Sequence, residues 1–141
     1  MTADGKQHKG IVIYCSDPRP NLWKHIKEML IPPSEIFIPI PLLGGPISLV
    51  HQTTLNIEYR CLRTQIDFAL AVFSPQEFLV IGHDCGYYAK VGQNFPLSGK
   101  VSDIEKAVEF LWECYHLPVT GNFWHQEQKQ FETITEVSPI A

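Results

Sequence analysis

The chain has 141 residues, 45% of them hydrophobic and 18% charged, a balance that excludes disorder and fibrous repeats and makes a single domain, residues 1–141, the expected organisation. A formal net charge of -4 supplies no basic field for phosphate-rich partners, which argues against nucleic acid binding. The polar opening "MTADGKQHKG" has no secretory apolar stretch, and the longest apolar run, "IFIPIPLLGGPISLV", is broken by proline and glycine, so no membrane contact is expected and the cytoplasm is the expected location. In that compartment four cysteines at irregular spacing fit thiols or metal ligands better than a disulfide framework.

In chain order, "GIVIYC" at 10–15 is a continuous apolar run that predicts a central strand covered on both faces. Pro18 and Pro20 fit the first turn of a short helix in "NLWKHIKEML", where Leu22, Trp23, Ile26 and Leu30 recur at helical spacing. "SEIFIPIPLL" alternates like a strand, but its two prolines cannot donate ladder hydrogen bonds and place it at a sheet edge, ended by "GGP". The longest helix is expected from about Thr53 to Phe73, with Leu55, Leu62, Ile66, Ala69, Leu70 and Phe73 on one face. "EFLVIG" at 77–82 predicts a second buried strand that runs into the polar cluster "HDCG". "SDIE" at 102–105 has the spacing of a capping box ahead of the helical "KAVEFLWECYHL", and "PVTGNFW" and "FETITEV" close the chain as strands.

Strands alternating with helices imply parallel neighbours joined by right-handed crossovers, hence an α/β three-layer sandwich around a mainly parallel sheet of four or five strands. Ligand crevices in such sheets lie beyond the carboxyl ends of the strands, where "CSDPR" and "GHDCG" both fall. Cys15, His83 and Cys85 are soft and borderline donors that suit Zn2+, and three protein ligands leave a fourth position open for water. Asp17 and Arg19 add an acid and a base to the same edge.

These residues resemble the β-class carbonic anhydrases, whose zinc site combines a Cys-x-Asp-x-Arg motif with a later His-x-x-Cys-Gly motif. "CSDPR" matches the first in full, and the order of strands and helices follows the family over most of the chain. "GHDC" is one residue shorter than the second motif, although residues two apart on an extended chain still face the same side. "PLLGG" stands where the family has Arg-Asn-Ala-Gly, and bulky Tyr87 and Tyr88 follow "CG" where small residues are common.

The resemblance implies a zinc lyase that converts carbon dioxide to bicarbonate through a zinc-bound hydroxide, Asp17 orienting that group and Arg19 keeping Asp17 ionised. It equally allows Asp17 to be a fourth zinc ligand in a closed state. A homodimer or higher homo-oligomer follows from the same resemblance. The alternatives are a non-catalytic zinc- or anion-binding relative, a hydrolase of carbonyl sulfide or carbon disulfide, and a thiol enzyme using Cys85 beside His83.

The remaining reactive side chains have plainer roles. Cys61 and Cys114, within helices, are expected to be small buried hydrophobes, and Asp84 to cap a helix that begins just after it. His8, His25, His51, His116 and His125 are expected to face solvent or form hydrogen bonds. Trp23, Trp112 and Trp124 are expected in the core or an interface.

Overall fold

A computed structural model describes residues 7–84 and 100–139. The elements are β1 (Gly10–Cys15), α1 (Leu22–Met29), β2 (Phe37–Leu42), α2 (Ile47–Val50), α3 (Asn56–Phe73), β3 (Glu77–His83), α4 (Lys100–Tyr115), β4 (Val119–His125) and β5 (Gln130–Val137). They build a five-stranded sheet in the order β2-β1-β3-β4-β5. β1 lies parallel to both β2 and β3, β3 lies parallel to β4, and β5 returns antiparallel to β4. The expected α/β sandwich with a mainly parallel sheet is therefore the one observed.

Alternation along the strands sorts their side chains into two cores. Ile11, Ile13, Phe78 and Val80 face one side and pack with Leu49 of α2, Leu62 and Ile66 of α3, and Ile104 and Leu111 of α4. Val12, Leu79, Ile81 and Trp124 face the other side and pack with Leu22 and Ile26 of α1. A strand covered on both faces has no polar side, which is why all six residues of β1 are buried. β2 lies at the sheet margin with Pro39 and Pro41 opposite Val12 and Tyr14, as two residues without N–H groups require.

The structure corrects four local expectations. Pro18 and Pro20 precede α1 instead of filling its first turn; Asn21, left-handed at φ 48°, stands between them and the helix. The long helix begins at Asn56 because Leu55 lies outside the helical region at φ -109°, ψ 49°, and a separate short α2 precedes it. α4 starts at Lys100, so Ser102 is inside the helix and "SDIE" is no capping box; Asp103 is buried and its Oδ2 lies 3.2 Å from His51 Nε2 at the end of α2. Cys61 and Cys114 are exposed, not buried. Cys61 falls one position off the Leu62, Ile66, Ala69 stripe and accepts a hydrogen bond from Gln65 Nε2 on the solvent side.

α4 sits unusually close to the carboxyl half of the sheet. A Cβ at Gly82 would come within 2.5 Å of Ile104 Cδ1, so the missing side chain there lets the helix approach β3 just before its last residue. Among the described residues, no helix is long and apolar enough to cross a membrane.

Candidate metal centre

Because β1 and β3 run parallel, with Ile13 opposite Val80, they finish at the same edge of the sheet. Their last residues are Cys15 and His83. The hydrophobic runs that make the strands thus deliver a thiol and an imidazole to the side where ligand crevices form.

Cys15 is 2% exposed, and its Sγ accepts a hydrogen bond from the main-chain N–H of Gly44 at 3.3 Å. Past the strand end the chain turns, and Asp17 and Arg19 pair. Arg19 Nε donates to Oδ1 and Oδ2 at 3.0 and 3.1 Å, Nη2 donates to Oδ2 at 2.6 Å, and the main-chain N–H of Arg19 donates to Oδ1 at 3.0 Å. These bonds hold the Asp17 carboxyl well below the usual carboxylate range, to about 2. The Arg19 side-chain bonds dominate; partial burial opposes them, and the Arg19 N–H, its charge and, least, the His83 imidazole reinforce them. The carboxylate is sheltered at 11% exposure, whereas the guanidinium stands 74% exposed.

His83 is buried, and among the described residues its Nε2 has no hydrogen-bond partner. A buried imidazole nitrogen left unmatched costs about 1–3 kcal/mol, so its position calls for a partner that the described residues do not supply. Its neighbour across the ladder is Trp124, which is 1% exposed and carries the His25 ring stacked at 4.4 Å. Aromatic walls therefore shelter this nitrogen from bulk water. A buried nitrogen lone pair at the same sheet edge as a buried cysteine is the donor chemistry that suits a borderline cation such as zinc.

Cys85 lies outside the described residues, as do Tyr87, Tyr88 and the helix start expected after Asp84. Among the described residues no three His, Cys, Asp or Glu side chains gather around one point. The structure thus sets Cys15, Asp17, Arg19 and His83 along one sheet edge. Of the other histidines, two form the expected hydrogen bonds. His51 and His125 pair with Asp103 and Glu132, at 3.2 and 2.9 Å, and His25 stacks on Trp124, but His8 is buried against Phe73. Two contributors were not foreseen from sequence: the Gly44 N–H, signalled only by "GGP", and Trp124 as the wall beside His83.

No family model and no curated protein sequence matches the chain. Solved structures do. The fold resembles that of two tetrameric β-carbonic anhydrases from the filamentous ascomycete Sordaria macrospora, with a TM-score of 0.63 and 13% identity, over 96% of this chain and 85% of that one. It also resembles β-carbonic anhydrase isoform I from the protozoan Trichomonas vaginalis, with a TM-score of 0.54 and 13% identity, over 95% of this chain and 86% of that one.

Proposed function

On the β-carbonic anhydrase fold that this chain shares, we propose that it is a cytoplasmic zinc lyase for the reversible hydration of carbon dioxide to bicarbonate. Cys15, His83 and Cys85 hold the metal in this reading, and Asp17 and Arg19 serve the reacting water. The observation that carries it is the buried His83 Nε2, without a protein partner among the described residues and at the same sheet edge as a buried cysteine. A dimer or larger homo-oligomer is part of the proposal, in keeping with the tetrameric Sordaria macrospora proteins.

Two thiolates and a neutral imidazole balance the charge of a divalent cation. When bound, zinc supplies a Lewis acid that brings the pKa of a coordinated water near neutrality. The protein's part is positional. Asp17, ionised at every physiological pH, is only an acceptor, so it takes a hydrogen bond from the reacting water and fixes which way the oxygen lone pairs point. Arg19 locks the carboxylate plane through its fork and leaves most of the guanidinium open to solvent, where it attracts an anionic product.

Metal analysis and stopped-flow hydration of carbon dioxide test the reading together. The expected result is about one zinc per chain with hydration activity, both lost in Cys15→Ala. Protein that binds no zinc, or zinc-loaded protein that does not hydrate carbon dioxide, overturns it. The short His83-x-Cys85 spacing favours one second reading, a non-catalytic zinc- or anion-binding relative, and zinc without turnover is its signature. Carbonyl sulfide and carbon disulfide, assayed in parallel, test the hydrolase variant.

A further inference from the structure

The fold places the glycine pair after β2 against the first candidate ligand. We propose that the main-chain N–H of Gly44 is a built-in donor that positions the Cys15 sulfur and draws off part of its charge when it holds a metal; the inference rests on the zinc reading above. The donor lies 3.3 Å from Sγ in a buried setting. Its direction is fixed by the surrounding turn. Gly45 N–H donates to Leu42 O at 2.8 Å, Ser16 N–H donates to the same oxygen at 3.1 Å, and Ile47 N–H donates to Gly44 O at 3.3 Å.

Only glycines make this approach. Gly44 and Gly45 sit at φ 84° and 59°, in the region where side chains cost energy. A Cβ on Gly45 would lie 2.9 Å from Cys15 N and 3.1 Å from the Tyr14 carbonyl carbon, both main-chain atoms that cannot step aside. The turn therefore rests directly on the end of β1, with the Gly44 amide aimed at the sulfur. A sulfur engaged on one side by an N–H has its remaining lone pairs directed elsewhere, and the charge withdrawn from it eases the repulsion between two thiolates on one cation. Gly44 is thus a positioning residue, acting on the metal only through Cys15.

Two experiments decide this. In protein loaded with cadmium-113, the amide proton of Gly44 is expected to show a scalar coupling to the metal, carried through the N–H···S bond and absent in Cys15→Ser. That readout needs a bond through sulfur, so a merely structural turn does not produce it. Gly45→Ala is expected to weaken zinc affinity by about 10–100-fold in a chelator competition, the usual effect of losing a partner that orients a ligand. Cadmium bound through Cys15 without coupling to Gly44, or a folded Gly45→Ala chain with unchanged zinc affinity, overturns the proposal. If Gly45→Ala does not fold, the coupling in the unaltered chain decides alone. A cadmium resonance indifferent to Cys15→Ser instead overturns the zinc reading, and this inference with it.

Discussion

The ends of β1 and β3 lie side by side and are built in opposite ways. At β1 the polar groups are satisfied from within: Cys15 takes the Gly44 amide, and Asp17 takes three Arg19 nitrogens. At β3 the last side chain, His83, is buried with Nε2 unmatched among the described residues. A satisfied group is a scaffold and an unmatched one is a vacancy for chemistry, because burying a bare nitrogen is costly unless something returns to bind it. The contrast teaches that two strands sharing register and burial can differ in how their terminal polar groups are satisfied, and the proposed metal site rests on that imbalance.

The sharpest way to break the contrast is to remove one side at a time. Cys15→Ala and His83→Leu are both expected to lower zinc to background by metal analysis, forfeiting a binding free energy on the order of 10 kcal/mol. Without metal they should part company: His83→Leu leaves the metal-free chain as stable or more stable in urea unfolding, since it removes an unmatched polar atom, while Cys15→Ala destabilises it by stranding the Gly44 amide. Equal destabilisation by both would erase the distinction. Next in size is Trp124→Ala, expected to cost about 3–5 kcal/mol in the same assay because it empties the wall between His83 and α1.

Smaller effects probe the β1 side. Asp17→Asn is expected to slow hydration by roughly 100-fold with zinc content unchanged, since an amide presents a donor where the water needs an acceptor. A rate near that of the unaltered chain removes Asp17 from the mechanism. Smallest is Arg19→Ala, which should raise the Asp17 pKa from about 2 toward the ordinary range in a carbon-13 titration. The folded value lies below the unfolded one, so the pair's stabilisation is complete above pH ~4 and fades as pH falls through about 2. Solvent around the exposed guanidinium limits that contribution to below about 1 kcal/mol, measured as a small shift in acid unfolding.

Much of this was visible in the order of residues. Continuous apolar runs at 10–15 and 77–82 announce strands buried on both faces, and the prolines of "FIPIPL" announce an edge. Asp17 and Arg19, two residues apart after a strand, announce a pair because local spacing alone brings them together. The capping box at Ser102 misled because the same Asp103 that fits a cap is held by His51, from a helix about fifty positions earlier. Cys61 misled because helical phase, not residue type, decides burial, and a shift of one position moves a side chain off the packed stripe.

Sequence by itself determined the strands and the three longer helices, the α/β class, the edge position of β2 and the chemistry placed at two strand ends, because each depends on periodicity, proline or neighbours a few residues apart. Tertiary structure alone decided that the Gly44 amide meets the Cys15 sulfur, that Trp124 walls His83, and that Nε2 is buried without a partner among the described residues. Those contacts join segments 29 or more positions apart, and they exist only once chain entropy has been overcome by two cores closing on opposite faces of one sheet.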